Sequence, residues 1–243
     1  MQSEAWIDEL RAGRNMVALD HLRREPMNPS NFISLGAVYM WAADFQAALA
    51  HFQDQIQAAL YSNFPSDLSY GMAGTAAWCL GDQKLAVKYW RKGTKPRYAV
   101  GGSNTRTSLL LYAASVLDAG AFSVRTAEKL LKEKVSHWRV KHWAGPLAEF
   151  ILGMASEETV REKTLFESAR MRSYKKNTKS WQLDFYRVLK EFADGNVSSG
   201  VLERELQYLL SVKGSEYLDG ANVFYFLRME EFYIARHWSS RNV

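Results

Sequence analysis

Cysteine is almost missing from this chain: Cys79 is the only one in 243 residues, and it stands inside the apolar run AAWCL. A lone thiol excludes an internal disulfide framework and a four-cysteine zinc site, so the fold must rest on its core, and a reducing compartment suits it. Proline is scarce, with five in all, and runs that alternate apolar with polar residues are few, which leaves little room for β-strands. Long apolar runs are missing as well. The longest, Leu109 to Leu117, falls far short of the roughly 18 residues a membrane span needs, and the opening MQSEAWIDELRAGR lacks the charged-then-apolar order of an export signal. Together these absences lead to the expectation of a cytoplasmic protein. Net charge is small too: 31 Lys and Arg against 26 Asp and Glu leave +5, well below the loading of a dedicated nucleic-acid binder and a slight bias toward acidic partners.

What is present points to helices. Hydrophobic residues make up 47% of the chain and charged residues 23%, ordinary for a globular protein, whereas 13% aromatic with eight Trp is rich enough to serve core and interface together. At this length the chain can bury a full core. Apolar residues recur at three- and four-residue spacing over long stretches, the pattern of amphipathic helices, and predict one all-α domain over 1–243. Within it, residues 1–140 read as helical hairpins and 141–243 as a less regular helical part. Trp6 to Arg24 reads as an opening helix pair broken at Ala12-Gly13-Arg14 and closed by Pro26 and Pro29. Further helices are expected over Pro146–Ala155, Glu157–Arg172, Lys179–Ala193, Ser199–Val212 and Ala221–Trp238.

The clearest unit runs from Asn31 to about Leu60, with Phe32, Leu35, Gly36 and Tyr39 followed by Asp44-Phe45, Ala48 and Phe52. Gly36 and Ala48 are small where two antiparallel helices would cross closely, and Phe32, Tyr39, Phe45 and Phe52 would fill the space around them. A second copy starts at Tyr70 with Ala73-Gly74, Ala77, Gly81-Asp82, Ala86 and Trp90. Gly36 to Ala48 and Gly74 to Ala86 are both twelve residues, but the two glycines stand 38 apart. A degenerate third copy uses Leu111, Ala114, Ala127 and Leu131, with its break at Asp118 to Phe122. The order of aromatic, Leu-Gly, Tyr, then Ala and Phe resembles the tetratricopeptide repeat, whose period is about 34 residues, so the second helix of the first hairpin should be about one turn longer.

That resemblance implies stacked hairpins forming a short right-handed solenoid whose concave side, lined by the first helix of each hairpin, grips a peptide or protein. By register the lining would be Ile33, Ala37, Met40 and Trp41, then Thr75, Trp78 and Cys79, then Arg106 and Tyr112. The Lys and Asn set of the family's peptide-carboxylate clamp is missing from these positions. Separately, YGMAGTAAWCLGD, AVKYWRKG and HWAGPLAEFILG resemble bacterial proteins encoded beside polymorphic or contact-dependent toxins, which act as their immunity proteins. Such an inhibitor needs a rigid, aromatic-rich surface and no catalytic group. Its +5 charge would suit a neutral or acidic toxin, since inhibitors of basic nucleases are expected to be acidic.

Chemical motifs are sparse. No His-Glu-x-x-His, Gly-x-Ser-x-Gly or Gly-x-Gly-x-x-Gly stretch occurs, and Gly195 with Gly200 is followed by Val201-Leu202 where a phosphate loop needs Lys and Ser or Thr. No catalytic residue, metal or cofactor is therefore assigned. His137 and His142 would point about 140° apart on a helix, a poor metal pair, though HWRVKHW also gathers Trp and Arg of the kind found at binding hot spots. KPRYAVGGSNTR reads as a connector or a functional loop. Glu157-Glu158 reads as a capping turn and Glu230-Glu231 as a solvated helix face, because adjacent helical residues diverge by about 100°. Lys84, Lys88, Arg91, Lys92 and Lys95 form a basic stripe, either a solvated outer face or a surface for phosphates or acidic protein. Three functions follow: a toxin-binding immunity protein, an adaptor with a peptide in its groove, and an enzyme or RNA binder using the stripe and loop.

Overall fold

In the computed structural model of the chain, the described residues are 5–25, 29–61, 67–95, 104–135, 144–169, 174–211 and 229–241. They hold thirteen α-helices and no strand: α1 (Ala5–Arg11), α2 (Asn15–Arg24), α3 (Pro29–Trp41), α4 (Phe45–Tyr61), α5 (Asp67–Cys79), α6 (Gln83–Gly93), α7 (Asn104–Leu117), α8 (Val124–Val135), α9 (Ala144–Ile151), α10 (Glu157–Ala169), α11 (Tyr174–Ala193), α12 (Ser199–Ser211) and α13 (Met229–Arg241). The protein is all-α. No helix among the described residues is long and apolar enough to cross a membrane.

Five turns, at 12–14, 42–44, 80–82, 152–154 and 194–196, are built the same way. In the third, the Gly81 N–H donates to the Trp78 carbonyl (2.9 Å) and the Asp82 N–H to the Ala77 carbonyl (3.0 Å), so two carbonyls at the end of the helix find donors within the turn. The middle residue must be left-handed. Gly81 takes φ 82° without a Cβ penalty, whereas Ala43 holds the same place at φ 57° with one. After the turns at 42–44 and 80–82 the next helix is capped by Asp44 or Asp82, whose carboxylate accepts the Ala47 N–H (3.1 Å) or the Leu85 N–H (2.9 Å).

The two best-matched hairpins close on the same device. A Cβ at position 36 would stand 2.5 Å from Phe52 Cζ, and one at position 74 would overlap the Trp90 ring, so each glycine is the socket for an aromatic sixteen residues later. Trp90 is fixed further by donating its indole N–H to the Gly71 carbonyl (3.0 Å). Ala48 and Ala86 are fully buried, and α4 is 17 residues long against 11 for α6, the expected extension.

Every helix packs on its successor, and the chain then turns back on itself: α9, α11 and α13 all reach α7, and α13 also reaches α5. A small core joins α1, α2 and α3 through Trp6, Leu10, Leu19, Leu22, Leu35 and Val38. A larger one runs from α3 to α13. Several helix bounds differ from expectation. α9 stops at Ile151, short of Ala155, because its turn bonds form there, the Gly153 N–H meeting the Phe150 carbonyl at 3.0 Å. α11 starts at Tyr174, five residues earlier than Lys179, through a polar stretch whose lack of apolar period hides it. α13 runs on to Arg241, past Trp238, while the expected 221–228 part lies outside the described residues.

Candidate functional site

α5 packs on α7, and α13 lies along both. α13 runs beside α5 in matched register: Glu230 meets Gly71, and seven residues later His237 meets Trp78, with ring centroids 6.3 Å apart. The same helix follows α7 from Arg106, which pairs with Glu230, to Leu117, whose carbonyl accepts the Trp238 indole N–H at 2.9 Å. Toward α3, the Tyr233 hydroxyl donates to the Met40 carbonyl (2.7 Å), and its ring packs edge-on to Phe45 (5.5 Å). Leu117 stands at the end of α7, where its carbonyl lacks a helical donor and Trp238 supplies one, while the Met40 carbonyl takes the Tyr233 hydroxyl in addition to the Ala43 N–H of its turn (3.0 Å).

The residues read from the sequence as an open groove therefore sit beneath a helix or within the core. Met40 and Trp78 are buried in contact with α13. Thr75 is fully buried and turns its hydroxyl to the Gly71 carbonyl (3.1 Å), and Tyr112 is buried in the larger core. Ala37 is buried as well. Trp41 is half-buried between the two cores, its carbonyl taken by the Asn15 side chain (2.8 Å). Cys79 faces the Tyr233 carbonyl at 3.9 Å, and burial pushes its thiol up to about 12, so it stays protonated. Arg106 is largely buried in its ion pair. Ile33 belongs to α3, but its side chain lies outside the described residues, as do 136–143 with HWRVKHW and 96–103 of the KPRYAVGGSNTR stretch.

One reading of the sequence is corrected. Glu230 and Glu231 are not a solvated face; both are 0% exposed. The divergence of neighbouring helical side chains, used to dismiss them, is what allows their burial, since each finds a different wall. Glu230 turns to Arg106 on α7. Glu231 turns to α11, where Oε1 accepts the Gln182 amide (3.0 Å) and the Tyr186 hydroxyl (3.1 Å). Burial pushes the Glu231 carboxyl above the ordinary range, against the pull of Arg106 and these donors. His237 moves the other way: burial, and then Arg241, hold its imidazole below the usual histidine range.

Gln182 and Tyr186 escaped the sequence reading. A signal existed: Trp181, Gln182, Leu183, Phe185, Tyr186, Val188 and Leu189 are all buried, an arc too wide for a helix with one covered face. Trp181 adds to the same wall, donating its indole N–H to the Leu209 carbonyl (2.9 Å) and stacking on Phe185.

The outer faces of the hairpins are different in kind. On α6, Ala86, Val87, Trp90 and Gly93 point inward, and Lys84, Lys88, Arg91, Lys92 and Lys95 stand exposed on the opposite side. Comparison with protein-family models, with curated proteins and with solved structures finds no match.

Proposed function

We propose that this is a non-catalytic protein-binding module of tetratricopeptide-like hairpins stacked as a short right-handed solenoid. Its role is that of a cytoplasmic immunity protein, which neutralises a bacterial toxin domain by occluding it. The observation that carries this choice is α13 packed along α5 and α7. An adaptor that takes peptides along α3, α5 and α7 must first expel α13, separating Arg106 from Glu230 and exposing Tyr233, Ile234 and Ala235. Breaking one buried ion pair costs on the order of 3–5 kcal/mol, which short peptides at micromolar affinity would not readily recover. An inhibitor of a folded domain needs no such opening. It needs a rigid body with side chains set on its outer faces, and a helical stack with its groove filled supplies one.

The test is affinity capture of the tagged full chain from a lysate of its own source, washed at high salt. The expected result is one stoichiometric protein whose isolated domain is toxic and is neutralised by co-expression of this chain. Many weak partners, or none after the wash, would overturn the inhibitor reading. Micromolar binding of short peptides that release α13 would establish the adaptor in its place.

A further inference from the structure

We infer that the outer face of α6 is the docking surface for an acidic patch on a folded protein partner; this rests on the protein-binding reading above and adds where the partner sits and what it carries. The face holds Lys84, Lys88, Arg91 and Lys92, with Lys95 just past the helix end, and all five are exposed. From Lys84 to Lys95 the stripe extends roughly 16 Å along the helix. None of the five meets a carboxylate among the described residues. On α10 and α11 cations are paired: Arg161 with Glu157 and Asp184, Lys163 with Glu149, Arg187 with Glu191, Lys190 with Asp194. No other of the thirteen helices carries two or more cations without a carboxylate. The chain's net charge, 31 − 26 = +5, equals the charge of this one stripe.

Local stability does not account for it. Arg91 and Lys92 lie in the last turn, where the helix dipole favours cations, but Lys84 is the second residue, at the end where a cation is disfavoured. Lys84 with Lys88, Lys88 with Lys92, and Arg91 with Lys95 are like charges four residues apart, and such pairs repel. A helix that tolerates this repulsion without a counter-charge of its own is complementary to carboxylates brought from outside.

The surroundings favour a protein over a nucleic acid. A strand binder needs exposed aromatics on which bases stack, yet Trp90 is fully buried and Tyr89 is half-buried with its hydroxyl held by Gln53 at 2.8 Å. Carboxylates also border the stripe. Asp54 is exposed next to Gln53 on α4, and Glu133 is exposed next to Lys134, whose ammonium reaches the Thr94 carbonyl at 2.7 Å. A phosphate backbone continuing across α4 or α8 would run into them, whereas a local acidic patch would not.

The experiment titrates the isotope-labelled full chain with a short polyglutamate peptide and, separately, with an oligouridylate of equal charge, at low and at physiological ionic strength. We expect polyglutamate to shift backbone amides confined to 84–95 and to bind more tightly than the oligouridylate. Binding should weaken about tenfold or more in K84E/K88E/R91E. The neutral K84Q/K88Q/R91Q should lose binding while its melting temperature holds or rises, because like-charge repulsion is relieved. Shifts away from α6, binding that survives the triple substitution, or tighter binding of the oligouridylate would each overturn the inference. Capture from lysate separates the two proposals: a partner held equally by wild type and K84E/K88E/R91E overturns the α6 surface and leaves the protein-binding reading standing. No captured partner at all overturns that reading, and the polyglutamate titration still decides the surface.

Discussion

Near the start of α10 and of α13 the chain carries the same dipeptide, Glu157-Glu158 and Glu230-Glu231, in opposite surroundings. At α10 the pair remains at the surface: Ser156 caps the helix by accepting the Thr159 N–H (3.2 Å), and Glu157 reaches Arg161 four residues on (2.7 Å) with its side chain 38% exposed. At α13 both carboxylates are out of water, one against Arg106 and the other against Gln182 and Tyr186. The partners at α10 lie within five residues and can be read locally. Those at α13 lie 124, 49 and 45 residues away and exist only once α7 and α11 are packed. Dehydrating a carboxylate is far more costly than exposing one, so the buried pair commits α13 to its place more strictly than any surface ion pair could.

Substitutions can widen or erase that contrast. The largest effect is expected from Glu230→Ala, which strands Arg106 beneath α13: a loss of about 3–5 kcal/mol in denaturant unfolding. An effect under about 1 kcal/mol would mean that the pair does not hold the helix. Gly71→Ala comes next. Its Cβ would lie 2.9 Å from Glu230 Oε1, so the carboxylate or the helix must shift, at about 1–3 kcal/mol; unchanged stability would show that α13 sits further from α5.

Glu231→Gln sharpens the comparison through pH. The unfolded chain releases this proton near the ordinary value of 4.5, while the buried carboxyl holds it to higher pH. Wild-type stability therefore carries a component that is present below that value and is lost as pH rises through the folded-state ionisation. Glutamine keeps an oxygen for Gln182 and Tyr186 but cannot ionise. Melting curves of the variant should lose this decline, leaving it at least as stable as wild type at neutral pH; parallel curves across the range would refute the raised carboxyl. Smallest is Glu157→Gln at α10, expected to cost less than about 1 kcal/mol and to shrink further with added salt. A larger loss there would collapse the distinction between the two pairs.

Much of the helical layout was legible because its signals are local. The break at 12–14, the Gly36 and Gly74 sockets and the longer α4 all follow from residues within one hairpin, where spacing and turn chemistry are enough. The inner face was legible only in part. Register places Met40, Thr75, Trp78 and Tyr112 on inward-pointing sides of their helices, and they are inward; what lies against Met40 and Trp78 is a segment more than a hundred residues later. A binding groove and a groove already filled have the same apolar sequence, since both need a dry surface for a helix. Likewise RMEEFYIARHW shows two glutamates beside aromatics and leaves open whether water or Arg106 faces them.

By itself, then, the sequence determined the helices, most of their turns and the sixteen-residue glycine-to-aromatic contacts, because these depend on period, capping and the volume of near neighbours. Its charge order also fixed the basic stripe of α6, which stays outward because Ala86, Val87, Trp90 and Gly93 claim the other side. Only the tertiary structure decided that α13 lies along α5 and α7, that Glu230 and Glu231 leave water, and that the first helices face their own chain. Those outcomes depend on which distant surfaces can pair with two buried carboxylates and with the Met40 and Leu117 carbonyls at once, a condition that no stretch of neighbouring residues contains.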